Sequence, residues 1–280
     1  MKSKTSESGH AAFPLVPSTP IALTEKIDEH DREYYAKNAE AHVYKDESEQ
    51  TMPYRLFIPR GYNPRNRYPL VLSLHGAGER GHDNLKQLVP WVAGWMTEEV
   101  QSKHPCLILM PQCPADQQWV DTPWAKGSYA YLKIPVSKPM KLARMILDKV
   151  IQDKSVDRSR IYVMGASMGG YGAWDFVMRC PELVAAAVPV CGGGDPAMAH
   201  VIREVPIWAF HGDKDTTVPT SGSQDMADAI KEAGGTRIKL TLYEGVGHGS
   251  YLKAWREKKL VEWIFNQARI DNKPDAGDGK

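Results

Sequence analysis

The stretch GASMG, residues 165–169, constrains the fold of this chain more than any other feature of its sequence. The apolar run 161–164 before it predicts a buried strand, and residues 171–178 after it carry apolar side chains at helical spacing. Ser167 therefore lies at a sharp corner between a strand and a helix, where only small neighbours leave room for the chain. The pattern is typical of a nucleophile elbow, although a glycine-rich turn whose serine only caps the next helix has the same letters.

Strand and helix patterns alternate on both sides of this corner. Strands are expected at 41–45, 53–59, 70–76, 106–112, 161–165, 185–193, 206–212 and 238–245, and helices at 84–97, 140–154, 168–179, 196–204, 222–233 and 251–268. Helices between the later strands require crossover connections, which produce a parallel sheet covered on both faces. The first strands lack helices between them and are expected to pair antiparallel at one edge. The sequence predicts an α/β fold with a mostly parallel, eight-stranded sheet.

The alternating region is expected to form one domain, residues 21–270. A length of 280 residues and a hydrophobic content of 42% suit a single large α/β domain, and no internal repeat suggests a second one. Residues 1–20 and 271–280 are polar or rich in proline and glycine and are expected to be flexible tails. The segment 21–40 has no pattern that assigns it a structure.

Charge and hydropathy exclude several kinds of partner. Lys and Arg total 35 against 34 for Asp and Glu, without a dense basic cluster, so nucleic acid is not an expected partner. No apolar run approaches the roughly 18 to 20 residues that cross a bilayer. No signal peptide is recognised, but a secreted or periplasmic protein that has lost its signal peptide would look the same, so the localisation stays open.

The four cysteines give no indication of a metal site. Cys106, Cys113, Cys180 and Cys191 show no C-x-x-C spacing, so structural zinc is not expected. They are interpreted as buried thiols, with a disulfide left open.

A base and an acid for the serine can be selected by position, because a serine hydroxyl needs both to act as a nucleophile. His248 lies in a glycine-flanked loop after the last predicted strand. His75 and His211 each end a strand before a glycine, where a ring more often braces the turn. The acid should lie between serine and histidine in the chain, and HGDKD offers Asp213 and Asp215. Asp215, deeper in that loop, is preferred, and Asp213 is expected to brace the turn.

The order Ser167, Asp215, His248, with the stretches GASMGG, HGDKDTTVP and GVGH, resembles the α/β-hydrolase superfamily. More narrowly, YRLFIPRGYNPRNRYPLVLSLHGAGERGHDNL, PQCP, WAFHGDKDTTVP and YEGVGHGSY are similar to bacterial dienelactone-hydrolase-like and phospholipase/carboxylesterase-like hydrolases, also called predicted peptidases. Relatives of this group include feruloyl and acetylxylan esterases. The resemblance covers residues 41–268 and implies a serine hydrolase that needs no cofactor.

Two backbone amides are expected to form the oxyanion hole of such an enzyme. The negative charge of a tetrahedral intermediate develops within reach of the amide after the nucleophile and of one from the loop after the third strand. Met168 supplies the first amide. Ala77 in HGAG is preferred for the second, with Gly78 next, although HGAG is also compatible with a tight turn alone.

A long irregular segment, residues 113–138, separates the fourth predicted strand from the next helix. Loops of this length inside a domain tend to be functional. Its aromatic residues Trp119, Trp124 and Tyr129 are predicted to contact substrate, with anchoring of the loop as the alternative.

The resemblance favours a serine carboxylesterase that acts on small, aryl or plant-polysaccharide esters of the feruloyl or acetyl type. A serine peptidase would use the same groups, but dedicated oligopeptidases usually carry an extra gating domain. A catalytically silent binding member would usually lack part of the triad, which is complete here. The sequence does not predict the oligomeric state or the natural acyl and alcohol groups.

Overall fold

The computed structural model of the chain describes residues 29–269, and these are built around one eight-stranded sheet. Its strands are β1 (Ala39–Lys45), β2 (Thr51–Phe57), β3 (Tyr68–Leu74), β4 (Leu107–Pro111), β5 (Val156–Ala166), β6 (Ala186–Val190), β7 (Ile207–Gly212) and β8 (Ile238–Tyr243). Their order is β1-β2-β4-β3-β5-β6-β7-β8. Strand β2 pairs antiparallel with β1 and β4, and the other pairs are parallel. The predicted mostly parallel sheet with an antiparallel edge is confirmed.

The helices flank this sheet and fill the connections between strands. They are α1 (Glu29–Asn38), α2 (Pro90–Trp95), α3 (Glu98–Lys103), α4 (Lys138–Asp153), α5 (Met168–Arg179), α6 (Ala199–Ile202), α7 (Ser221–Glu232), α8 (Tyr251–Ala254) and α9 (Leu260–Phe265). Within residues 29–269, no helix is long and apolar enough to cross a membrane.

Both faces of the sheet are buried, because alternate residues of each central strand point to opposite sides. Leu70 and Leu72 of β3 join a core cluster with residues of α4, α5 and α7. Val71 joins a second cluster with residues of α2 and α9 on the other face. A strand buried on both sides reads as a continuous apolar run, which is why the central strands were recognisable in the sequence.

Residues 84–97 do not form the single helix that the sequence predicts. Helix α2 begins at Pro90, whose fixed φ and missing N–H suit the first position of a helix. Before it, Asn84 has a positive φ of 55°, and its side chain donates hydrogen bonds to the carbonyl oxygens of His42 at 3.1 Å and Tyr54 at 3.2 Å. This turn ties the connection to the hairpin of β1 and β2.

Other boundaries also differ from those expected. The predicted helix 251–268 is divided into α8 and α9, and the predicted strand 185–193 ends at Val190. The segment 21–40, which had no assigned structure, contributes α1. The tails 1–20 and 271–280 lie outside the described residues, so the domain boundaries remain a prediction.

The cysteines of the described chain are free thiols. Cys106, Cys113 and Cys191 are buried, as the sequence predicts, whereas Cys180 is half-buried. The thiol of Cys191 lies within 4.8 Å of donor atoms of Asp215 and His248.

Candidate active site

Ser167 occupies a strained corner between β5 and α5. Its φ of 58° and ψ of −120° are unusual for a residue with a side chain. A Cβ atom on Gly165 would collide with the carbonyl oxygen of Gly169, and one on Gly169 would collide with the carbonyl oxygen of Leu74. The two glycines of the motif are therefore required by space, and they let the serine project from the end of the sheet.

A chain of hydrogen bonds links this serine to the two other predicted residues. Ser167 Oγ lies 2.8 Å from His248 Nε2, and His248 Nδ1 lies 2.8 Å from Asp215 Oδ2. In a neutral imidazole with its hydrogen on Nδ1, Nδ1–H donates to the carboxylate and Nε2 accepts a hydrogen bond from the serine hydroxyl. Three residues separated by 48 and 33 positions are brought together at the carboxyl ends of β5, β7 and β8.

The Asp215 carboxylate is buried but well supplied with donors. Its Oδ1 accepts hydrogen bonds from the backbone amides of Thr217 and Val218, both at 2.9 Å. Burial alone would raise the pKa of Asp215, but hydrogen bonds from His211, His248 and the Val218 amide hold that pKa well below its usual range. The side chain is therefore a permanent negative charge behind the imidazole.

Asp213, the alternative acid, faces elsewhere. Its Oδ1 accepts a hydrogen bond of 2.7 Å from the backbone amide of Gly245, in the turn after β8. The side chain is thus placed as a turn brace, and Asp215 alone of the two contacts His248.

The amides of Ala77 and Met168 lie at the two segments that flank the serine. Met168 is the first residue of α5, and Ala77 begins a short 3-10 turn, Ala77–Glu79, after β3. Neither amide donates a hydrogen bond to another residue of the described chain. A Cβ atom on Gly76 would lie 3.7 Å from the Cβ of Ser167, which shows how closely the β3 loop approaches the corner. Both amides are available to an oxyanion.

His75 holds in place the loop that follows β3. Its Nδ1 lies 2.7 Å from the carbonyl oxygen of Gly76, and its Nε2 accepts a hydrogen bond of 2.9 Å from the amide of Cys113. Burial lowers the pKa of His75 to about 4, so the ring stays neutral near pH 7. The ring braces its turn, as the sequence predicts for a histidine before glycine.

Glu79 is a further group at this loop that sequence reasoning missed. Its Oε2 would lie 3.0 Å from a Cβ atom on Gly76, so a larger residue there would displace the Glu79 carboxylate. Burial raises the pKa of Glu79, partly offset by the charge of Arg32. No motif identifies this carboxyl group, because its placement depends on how the turn after β3 folds back.

The prediction that Trp119 offers a face to substrate is wrong. The side chain is fully buried, with 0% exposure, and its Nε1–H donates a hydrogen bond of 3.0 Å to the carbonyl oxygen of His75. A ring without exposed surface cannot stack on a ligand. Trp119 instead anchors the long loop, which is the alternative that the sequence left open.

Tyr129 is also an anchor rather than an open surface. It is buried, and its hydroxyl donates a hydrogen bond of 2.7 Å to Asp175 Oδ1 on α5. Arg179 Nε pairs with the other oxygen of Asp175 at 2.6 Å, and its guanidinium carbon lies 4.4 Å from the centre of the Tyr131 ring. This buried network ties the long loop to the helix that follows the serine.

Trp124 is the predicted aromatic residue that keeps exposed surface. It is half-buried, and the guanidinium carbon of Arg80 lies 6.0 Å from the centre of its ring. Its carbonyl oxygen accepts a hydrogen bond of 2.9 Å from Tyr171 on α5. Trp124 therefore lies between the β3 loop and the first turn of the serine's helix.

A metal ligand set within residues 29–269 overlaps these residues. Cys191, Asp215 and His248 offer donor atoms within 4.8 Å of one another. Two of the three are already hydrogen-bonded to each other, so an ion would have to displace the proton on His248 Nδ1. The set thus belongs to the hydrogen-bonded chain that ends at Ser167.

Comparison with known proteins gives one family and a set of solved structures. Residues 123–261 match the dienelactone hydrolase family. A crystal structure of a thermostable esterase is 37% identical with a TM-score of 0.76, and the match covers 83% of this chain and 64% of that one. The chain therefore spans slightly less than two thirds of that esterase. No curated protein matches the sequence.

More distant structures share the fold alone. A feruloyl esterase module from Clostridium thermocellum, complexed with sinapinate, is 14% identical with a TM-score of 0.59 over 84% of this chain and 90% of that one. The acylaminoacyl peptidase of Pyrococcus horikoshii is 13% identical with a TM-score of 0.59 over 85% of this chain and 43% of that one. The same sheet and helices thus occur in proteins described as esterases and as a peptidase.

Proposed function

We propose that this chain, which has the α/β-hydrolase fold and matches the dienelactone hydrolase family at residues 123–261, is a serine carboxylic-ester hydrolase. The observation that carries the proposal is the hydrogen-bonded series from Ser167 through His248 to Asp215, with two contacts of 2.8 Å. A strained serine, a base in contact with it and a permanently charged acid behind the base are the groups that acyl transfer requires.

In the first half of the reaction, Ser167 Oγ attacks the ester carbonyl carbon while its proton moves to His248 Nε2. The imidazolium that forms is stabilised by the Asp215 carboxylate. The carbonyl oxygen gains negative charge and is stabilised by the amides of Ala77 and Met168. Collapse of this intermediate breaks the ester bond, and the leaving alcohol takes the proton from His248.

In the second half, water replaces the alcohol. His248, neutral again, accepts a proton from the water as its oxygen attacks the acyl carbon of the ester on Ser167. The same two amides stabilise the second oxyanion, and His248 returns the proton to Ser167 Oγ as the acid product leaves. All proton transfers use Nε2, so the Asp215 side of the ring keeps its hydrogen bond throughout.

Ester substrates are favoured over peptides by the comparison at the higher identity. The 37% identical structure is described as an esterase, whereas the peptidase match leaves more than half of that chain without a counterpart. Small, aryl or plant-polysaccharide esters of the feruloyl or acetyl type are the proposed substrates. Trp124 supplies the flat, half-exposed surface that a phenolic or sugar ring would contact.

Labelling with a fluorophosphonate followed by hydrolysis assays tests this function. We expect the purified protein to be labelled covalently at Ser167 and to hydrolyse nitrophenyl acetate. Peptide nitroanilides should react far more slowly, since their leaving groups are poorer. Turnover of peptides above esters would replace the esterase by the peptidase, and the lack of both labelling and turnover would favour a binding protein.

A further inference from the structure

The catalytic carboxylate of the proposed function is shared by two imidazole rings. Asp215 Oδ2 lies 2.8 Å from His248 Nδ1 and 3.3 Å from His211 Nε2. His211 ends β7 and is fully buried, with 0% exposure, whereas His248 faces the serine. His211 contacts the Val218 carbonyl oxygen at 3.1 Å, as expected for a ring that braces the loop after β7, and it contacts the carboxylate of Asp215 in addition.

The proton on His211 Nε2 is determined by its neighbours. This nitrogen lies 3.1 Å from the carbonyl oxygen of Val218 as well as 3.3 Å from Asp215 Oδ2, and both partners can only accept. Nε2 must therefore carry a hydrogen and donate it. On the other side of the ring, Nδ1 lies 2.8 Å from the hydroxyl oxygen of Ser223, which is 3.1 Å from the carbonyl oxygen of Gly192.

The donors around Asp215 now occupy both of its oxygens. Oδ1 accepts from the amides of Thr217 and Val218, and Oδ2 accepts from His248 and is approached by the His211 N–H. With Oδ1 held by the two amides, a second donor at Oδ2 limits rotation of the carboxylate about its Cβ–Cγ bond. The His211 Nε2–H, which lies 3.1 Å from the Val218 carbonyl oxygen and 3.3 Å from Oδ2, faces both acceptors and is placed to supply that donor.

We propose, on the basis of the proposed function, that His211 is a positioning residue for catalysis. Its Nε2–H fixes the orientation of the Asp215 carboxylate, and through it the tautomer and position of His248. The titratable groups that adjoin this carboxylate besides the two rings are the Tyr171 hydroxyl and the Cys191 thiol, and burial raises the pKa of both. Both groups therefore stay protonated and uncharged near neutral pH, and neither adds a charge beside Asp215.

A pair of amide substitutions separates this role from simple packing. The amide nitrogen of glutamine reaches the place of the ring's Nε2, and that of asparagine reaches the place of Nδ1. His211→Gln therefore keeps a donor toward Asp215, and His211→Asn keeps the contact with Ser223 but loses that donor. Both are polar and smaller than histidine, so each is a control for the other, and Ser223→Ala removes only the partner on the far side of the ring.

We expect His211→Asn to lower kcat on nitrophenyl acetate roughly tenfold with little change in KM, as loss of an outer hydrogen-bond partner does at other histidine sites. His211→Gln and Ser223→Ala should keep kcat within about threefold of the wild type. Thermal unfolding measured on the same samples reports any structural loss. Fluorophosphonate labelling rates should follow kcat, because both depend on activation of Ser167.

Equal kcat values for the asparagine and glutamine variants, whether both lowered or both unchanged, would overturn the role of His211 while leaving the esterase intact. A larger loss in Ser223→Ala than in His211→Asn would also overturn it. A wild-type protein that neither hydrolyses esters nor reacts with the fluorophosphonate would instead refute the proposed function, and the positioning role with it.

Discussion

Trp119 donates its indole N–H to the carbonyl oxygen of His75 across 3.0 Å, although 44 residues separate the two in the chain. The rings also meet edge to face, with centres 5.3 Å apart. His75 directly precedes the loop that presents the Ala77 amide, and it accepts a hydrogen bond from Cys113 at the start of the long segment 113–138. The long segment and the loop after β3 therefore support each other through His75.

Replacing the nucleophile is the most direct test of the mechanism. We expect Ser167→Ala to abolish fluorophosphonate labelling and to lower turnover roughly a thousandfold or more, because the acyl-enzyme cannot form. Ser102→Ala, on the exposed surface of α3, is the matched control and should behave as wild type. A Ser167→Ala rate near that of the wild type, in protein free of contaminating esterases, would contradict the mechanism.

The two acids of the HGDKD stretch should differ sharply. Asp215→Asn keeps the shape of the side chain but loses the charge that balances the imidazolium and can stabilise the wrong tautomer, so kcat should fall by about a thousandfold or more. Asp213→Asn affects only the bond with the Gly245 amide and should leave kcat nearly unchanged. The reverse ranking, measured by steady-state kinetics, would show that Asp213 is the catalytic acid.

The sequence carried enough information for the fold and for the order of the proposed triad, because both depend on local patterns. Strand β3 is buried throughout and apolar except for Ser73, and Gly165 and Gly169 are required by the corner at Ser167 itself. Trp119 was misjudged because an irregular loop has no periodicity from which burial can be predicted. Its location depends on a contact with His75, which no local pattern encodes.

The burial of charged side chains was the other feature that the sequence did not predict. Asp175 is 1% exposed on helix α5, which is buried from Met168 to Met178, although a lone Asp in a helical pattern ordinarily indicates a solvated position. Its burial becomes understandable only with its partners, Tyr129 on the long loop and Arg179 one turn later. Likewise, the contact of His211 with Asp215 depends on the path of the loop after β7.

Activity should require the neutral form of His248, because an imidazolium cannot accept the proton of Ser167. The pKa of Asp215 lies well below its usual range, so this carboxylate stays ionised in mild acid and does not contribute to a loss of activity there. One group is then responsible, and log(kcat/KM) should fall with a slope of about one per pH unit. A slope near two in the pH–rate profile would mean that a second essential group titrates there.

Stability should decline in acid for a different reason, the buried ring of His75. Its pKa falls from an ordinary 6.5 to about 4, so between these values the unfolded chain binds a proton that the folded protein excludes. The stability present above pH 6.5 is therefore lost as the pH falls toward 4, by up to about 3 kcal/mol.

Urea unfolding at neutral and acid pH measures this loss. His75→Gln should be less stable than the wild type at pH 7, since it disturbs the bond with Cys113, but it should lose less on acidification. His82→Gln, at an exposed position, should lose as much as the wild type. An undiminished acid loss in His75→Gln would assign the effect to other groups.

The last prediction concerns substrate, where the two tryptophans of the long segment should now behave differently. Trp124→Ala should raise KM for methyl ferulate and acetylated xylan while sparing nitrophenyl acetate, because an offset stack contributes about 0.5 to 1.5 kcal/mol. Trp119→Ala should lower the free energy of unfolding by about 3 to 5 kcal/mol and reduce kcat on every ester, because it removes a buried ring that supports the loop after β3, where we propose the Ala77 amide as an oxyanion donor. Trp124→Phe keeps a flat ring and is the control for Trp124→Ala.

The assay panel also includes nitrophenyl butyrate and palmitate, with short esters expected to be preferred. Palmitate as the best substrate, or equal losses on all esters in Trp124→Ala, would show that Trp124 supports the loop and does not contact the substrate.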